Sequence, residues 1–165
     1  MLVALTVVLV AGCGWVVFRS VVRVRPDERV VVERGGRFDR VLEPGTHWVV
    51  PFVQRARLRV DTRPQEVALP ARERRTADGL GVVASARLVY RVVDARSATY
   101  AVPHLPSAIA QLAGTTLDVA LEGTTADSAV RDGHGLRREL LAVLSDTVRP
   151  WGVDVHSVEV VVGSS

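Results

Sequence analysis

From Leu2 to Phe18 the chain reads LVALTVVLVAGCGWVVF without one charged side chain, and this run constrains the architecture more than any other feature. Beside a membrane span, a buried core helix is the competing reading, and the weaker one, because an extreme N-terminal run without a polar face has nothing to distinguish core from solvent. Counted from Met1 and at ~1.5 Å per residue, the stretch to Phe18 gives roughly 27 Å of helix against roughly 30 Å of hydrocarbon. Arg19 can snorkel at the end of the run, and Val21, Val22 and Val24 are expected to extend it. The expectation is a transmembrane anchor over residues 1–24, followed by one folded domain over residues 25–163. A cleaved secretory signal would want a basic segment ahead of the run, where only Met1 stands. The same lack argues against reading Val10-Ala11-Gly12-Cys13 as a lipoprotein box. Arg19, Arg23, Arg25 and Arg29 all follow the run, so the positive-inside rule places the domain on the cytoplasmic side of a cell membrane crossed once. This basic collar can also hold anionic lipid headgroups, at about 1 kcal/mol per near-surface arginine.

The chain has 165 residues, 48% hydrophobic and 24% charged, which suits one compact domain plus an extra segment and excludes intrinsic disorder. Cys13 is the sole cysteine, so neither an intrachain disulfide nor a cysteine-cluster zinc site can form. The sequence pI of 9.9 suggests a nucleic-acid partner. The net charge is only +3, however, because 21 basic residues face 18 acidic ones. Every basic residue is arginine, whose high pKa raises the pI without raising the charge. Together with heavy Val, Ala and Gly use, this reads as the codon bias of a GC-rich bacterial genome.

Past Pro26 the pattern changes to that of a folded domain. Glu28 to Arg34 reads as a strand rich in β-branched residues, broken by Gly35-Gly36, and Pro44-Gly45 as a turn. Thr46 to Val53 is a strand-like stretch interrupted by Pro51. In Arg55 to Asp61, strict alternation predicts Ala56, Leu58 and Val60 on an inner face and Arg55, Arg57, Arg59 and Asp61 on a solvated one. No aromatic is interleaved with those arginines for base stacking, so nucleic acid is not an expected partner. Pro64 to Leu69 suggests a short strand and Arg72 to Gly81 an exposed turn. Leu80 to Val93 is the longest strand, with Leu80, Val82, Ala84, Ala86, Leu88, Tyr90 and Val92 inward and Arg87 and Arg91 outward. The period then becomes helical: Leu105, Ile109, Leu112, Thr116 and Ala120 mark one helix that stops at Glu122-Gly123. A short helix is expected after Thr125, and Leu136, Leu140, Leu141, Leu144 and Val148 mark another. Val153 to Val162 alternates as a closing strand, with Val153, Val155 and Ser157 opposite Asp154, His156 and Val158. Strands, then helices, then a strand predict an α+β fold with an antiparallel sheet and packed helices.

VRPDERVVVERGGRFDRVLEPGTHWVVPF, RLRVDTRPQEVALP, TADGLGVVASARLVYRVVD, QLAGTTL and PWGVDVHSVEV, in this order and spacing, resemble the SPFH or Band 7 family of stomatins, prohibitins, flotillins and the HflK and HflC proteins. The resemblance covers about residues 23–160 and lies closest to the stomatin-like branch. It implies a membrane-anchored scaffold, without an active site, that forms homo-oligomers and organises neighbouring membrane proteins, among them a membrane protease or an NfeD-like partner. It also implies a long charged helix after the last strand, whereas the sequence here ends at Val162-Gly163-Ser164-Ser165. A monomeric or weakly dimeric membrane adaptor is therefore the alternative expectation. Gly114 and Asp118 stand where the resemblance implies glutamine and a basic residue, and Gly133-His134-Gly135 is expected to break a helix.

The chemistry-bearing residues form no catalytic pattern. His47, His104, His134 and His156 are scattered without metal-site spacing, and there is no phosphate loop, dinucleotide fingerprint or nucleophile elbow. No cofactor, metal or catalytic residue is expected. Cys13, inside an apolar run, would have its thiolate disfavoured. The residues singled out are membrane contacts: Arg19, Arg23 and Arg25 in the collar, and Trp48 and Phe52 in the stretch WVVPFV. An aromatic of this kind suits the headgroup boundary, and a buried strand is the competing reading.

Overall fold

The computed structural model describes residues 20–50 and 53–164, which form two compact units divided between Thr62 and Arg63. The uncharged run, with Cys13 and Arg19, lies outside the described residues. Among those described, no helix is long and apolar enough to cross a membrane.

The first unit is built from five strands: β1 (Val21–Val24), β2 (Glu28–Arg34), β3 (Arg37–Leu42), β4 (Gly45–Trp48) and β5 (Gln54–Asp61). Val21, Val22 and Val24 do not lengthen an anchor helix. They stand in β1, antiparallel to β4, which corrects the expectation, and the physical reason is β-branching combined with an available partner strand. β3, β2 and β5 form a separate antiparallel sheet in the order β3-β2-β5. The expected break falls at Gly35 and Gly36, with φ of 59° and 79°, which lets the β2–β3 hairpin close. Val24, Val30, Val32, Leu42 and Val49 make the small core. The strict alternation predicted for Arg55–Asp61 fails: Val60 is buried, but Ala56 and Leu58 are exposed. Val31 pairs with Leu58 and Val32 with Ala56, so Arg57 is an extra residue. This bulge shifts Ala56 out of phase with Leu58 and Val60, and Arg55 and Arg59, on either side of it, do not share a face.

The second unit holds β6 (Gln65–Arg75), β7 (Gly81–Val92) and β8 (Val153–Ser164) as an antiparallel sheet in the order β6-β7-β8. Helices α1 (Ala95–Ala101), α2 (Leu105–Glu122), α3 (Ala126–Arg131) and α4 (Gly133–Val148) lie between β7 and β8 in sequence. The core joins Val82, Leu88 and Tyr90 to Ile109, Leu117, Leu140 and Leu144. Alternate residues of β7 from Val82 to Val92 are buried as predicted, while Leu80 precedes the strand and is exposed. Arg87 and Arg91 face outward and pair with Glu66 and Asp154 at 3.2 and 3.5 Å.

Three details differ from expectation. Arg72 to Arg75 continues β6 past a bulge at Pro70-Ala71, so the turn is shorter than Arg72–Gly81. In β8, Val89 pairs with Ser157 and Tyr90 with Val155; His156 is bulged out, which puts Val158 on the buried side with Val153 and Val155. The buried stripe of α2 is Ile109, Ala113, Leu117, Ala120 and Leu121, rotated from the predicted Leu112 and Thr116. The helix break near Gly133 is present. Asp132 ends α3 and caps α4, its carboxylate accepting from the Gly135 amide at 2.9 Å.

Candidate membrane-contact edge

The β1–β4 ladder sets Val21 opposite Trp48, Val22 opposite His47, Arg23 opposite Thr46 and Val24 opposite Gly45. One more bond, from the Val49 amide to the Ser20 carbonyl at 2.7 Å, carries the pairing past the end of β4. Strand alternation then separates the side chains. Val24 and Val49 enter the core at 3% and 5% exposure, whereas Val21 and Trp48 face solvent at 44% and 61%. Val50 and Val53 are also exposed, at 57% and 52%. Four large apolar side chains therefore stand out around one end of this unit, a display that soluble surfaces seldom carry without a partner.

Polar groups hold the backbone of this edge. Gln54, only 6% exposed, accepts from the Val50 amide through Oε1 at 3.0 Å and donates its own amide to the Val50 carbonyl at 3.0 Å. Its Nε2 donates to Asp39 at 2.6 Å, and Asp39 lies 3.6 Å from Arg34. Arg40 donates to the Trp48 carbonyl at 2.9 Å. Gln54, Asp39 and Arg40 were not singled out from sequence, where a lone Gln beside an apolar stretch carries no periodic signal. The Trp48 carbonyl, the Val49 amide and both backbone groups of Val50 are thus paired beneath the exposed apolar side chains.

Of the residues singled out, Trp48 stands at this edge, while Arg19 and Phe52 lie outside the described residues. Arg23 and Arg25 are brought close on the same unit and are both exposed; Arg25 lies 3.7 Å from Glu28. Among the described residues, no group of three His, Cys, Asp or Glu side chains could hold a metal ion. His47 donates to the Glu43 carbonyl at 2.7 Å.

The shifted titrations are in the second unit and have structural causes. A hydrogen bond from Ser97 lowers the Asp94 pKa, and one from Thr76 lowers that of Asp78. Burial raises that of the Tyr90 phenol, whose hydroxyl donates to Gln65 at 3.0 Å. Burial, with Arg72 nearby, lowers that of Arg74. Arg74 pairs with Asp118 and lies 3.4 Å from the Gly114 carbonyl. The two departures noted in the helix thus meet one arginine of β6.

The family model for the SPFH domain / Band 7 family matches residues 22–162, beginning in β1 and ending in β8. The chain belongs to this family. An uncharacterized protein of Methanothermobacter thermautotrophicus is 34% identical over 143 residues, covering 87% of this chain and 45% of that protein. A stomatin homolog of Pyrococcus horikoshii is 30% identical over 83% of this chain and 51% of its own length. The mitochondrial stomatin-like protein 2 of Rattus norvegicus is 29% identical over 76% of this chain and 36% of its own. These relatives put the SPFH domain described here on the stomatin-like branch. The chain spans only 40% to 51% of the length of five of the curated relatives it matches, the two prokaryotic proteins above among them.

Proposed function

We propose that this SPFH protein is a membrane-anchored scaffold rather than an enzyme, held by residues 2–18 and resting the Trp48 edge in the headgroup region of the cytoplasmic leaflet. The carrying observation is the 61% exposure of Trp48 beside exposed Val21, Val50 and Val53, with the Trp48 carbonyl and the Val50 amide held by Arg40 and Gln54. Tryptophan favours the headgroup boundary because its ring is apolar and its indole N–H is polar. Val21 also follows soon after the uncharged run in sequence, so an anchor over residues 2–18 would deliver β1 to the membrane surface. Self-association into homo-oligomers that organise membrane proteins, such as a protease, is the role that family membership supports. The outer strands β6 and β8 of the second sheet offer backbone edges for lateral pairing.

The test uses the full chain, reconstituted in vesicles, with Trp15 and Trp151 replaced by phenylalanine so that Trp48 alone reports. Lipids brominated near the carbonyl should quench its emission strongly, and aqueous iodide weakly. Full iodide quenching with no effect of brominated lipid would refute the contact. Cross-linking of the same vesicles tests the scaffold: multimers of many copies are expected, and a monomer would favour the adaptor.

A further inference from the structure

The exposed Arg23 side chain makes no ion pair among the described residues. It borders a cleft on the first unit together with Arg25 and Arg59, and Thr46 and Gly45 line the same cleft. Thr46 is the register partner of Arg23, so a hydroxyl stands directly across the ladder from the guanidinium. Arg25 and Arg59 share one carboxylate: Glu28 lies 3.7 Å from the first and 3.1 Å from the second. Of the neighbouring carboxylates, Glu43 is 2.8 Å from Arg29, and Asp27 and Asp61 are engaged in contacts of their own. Three lining guanidiniums, with Glu28 as the carboxylate paired to them, leave a surplus of two positive charges on the cleft wall. Gly45 has open space where a side chain would stand, the nearest atom to a built Cβ being His47 Nε2 at 3.8 Å, so the cleft is not filled from that side.

A second arginine-lined cleft, at the Gly35-Gly36 end of β2, provides the contrast. There Arg57 lies 3.2 Å from Glu33 and Arg34 lies 3.6 Å from Asp39, so two of the three lining guanidiniums, Arg55 being the third, have a carboxylate each. The first cleft differs in setting a larger positive surplus, a shared carboxylate and a hydroxyl around one opening.

The geometry points to the Arg23, Arg25 and Arg59 cleft as a binding site for a phosphate monoester dianion. Guanidinium forks match phosphate oxygens, and the two surplus charges match the dianion. The phosphate can be a lipid headgroup or free in solution; only the lipid source rests on the membrane contact proposed above.

The experiment is calorimetric titration of the full chain in neutral detergent with three probes: dihexanoyl phosphatidic acid, dihexanoyl phosphatidylcholine and inorganic phosphate. The acid is expected to bind at least about tenfold more tightly than the choline lipid. Arg23→Gln and Arg59→Gln should each weaken it roughly five- to tenfold, as expected for loss of a charge-assisted bond. Glu28→Gln should strengthen it several-fold, an effect of opposite sign that a merely structural role would not produce, and Arg55→Gln in the other cleft should leave it unchanged. If inorganic phosphate matches the lipid and responds to the same substitutions, the site stands with free phosphate as its source. If no probe binds, or if Arg23→Gln and Arg59→Gln bind like the unaltered chain, the site is refuted. That result leaves the Trp48 quenching test intact, so the two readings fail separately.

Discussion

Replacing Gly152 with alanine tests whether the junction between the 3₁₀ turn Arg149–Trp151 and β8 is held together as the contacts imply. Gly152 has φ of +71°, where an L side chain costs roughly 1–2 kcal/mol. A Cβ there would lie 2.5 Å from the Asp94 carbonyl oxygen, 2.8 Å from Asp94 Cβ and 3.1 Å from Ser97 Cβ. Backbone at 2.5 Å cannot rotate away as a side-chain tip can, so Asp94 must move. Its movement loosens the Val93 and Asp94 amides from the Gly152 carbonyl, now 2.9 and 3.1 Å away. It also disturbs the cap of α1, in which the Asp94 carboxylate accepts from the Arg96 amide at 2.9 Å. About 1 kcal/mol for the weakened bonds and about 1 kcal/mol for the cap bring the expected loss to about 3–4 kcal/mol. The assay is hydrogen exchange of peptides from β7 and β8 in the full chain in detergent, where that loss reads as a protection decrease of a few hundred-fold. A decrease under about fivefold would refute the reasoning, because it would mean that the junction absorbs a methyl group without parting from Asp94.

Gly114 gives the opposite sign: nothing lies within 4 Å of a Cβ built there, and the residue is inside α2, so Gly114→Ala should stabilise the second unit by about 0.5–1 kcal/mol, read by the same exchange experiment. Tyr90→Phe should cost about 1 kcal/mol by leaving Gln65 Oε1 without its donor, and in the unaltered chain the raised phenol pKa should delay the ultraviolet phenolate signal beyond the ordinary tyrosine range. The pKa values of Asp78 and Asp94 are depressed on folding, so their contribution is fully present above the unfolded value of about 4 and disappears as pH falls through the folded ones. Thermal melts in detergent should therefore lose stability on acidification below about pH 4, with a shallower loss in Asp94→Asn. Gln54→Ala should raise exchange of the Val50 amide at least tenfold while leaving β7 unchanged, since it removes the acceptor that holds Val50.

Legibility in the sequence followed the strength of the period. β7 was readable almost residue for residue because one face packs against helices while the other carries Arg87 and Arg91, so alternation and burial coincide. Where a bulge inserts one residue, as at Arg57 and His156, the period of two shifts phase, which misplaces Ala56 in β5 and Val158 in β8. Helix α1 was invisible for another reason. Its seven residues bury only Ala95 and Ala98, too small a stripe to announce itself, and its start depends on the Asp94 cap rather than on an apolar pattern. The rotated stripe of α2 arises because Ala113 and Ala120 face the core, where their small size lets the helix approach the sheet.

The Trp48 edge shows a further limit. Read from sequence, WVVPFV offers two uniform outcomes, insertion in a leaflet or burial in a strand. The chain instead alternates burial with exposure, with Val49 in the core and Trp48 and Val50 outside. The buried valine fixes the edge to the first unit, and the exposed residues remain available because Gln54 and Arg40 satisfy the backbone that carries them. An apolar loop with unpaired amides could not enter the hydrocarbon boundary at acceptable cost, and a polar loop would have no reason to. The polar anchoring of an apolar display is thus the physical link on which the proposed membrane contact depends. It makes the buried Gln54 side chain a determinant of that proposed contact.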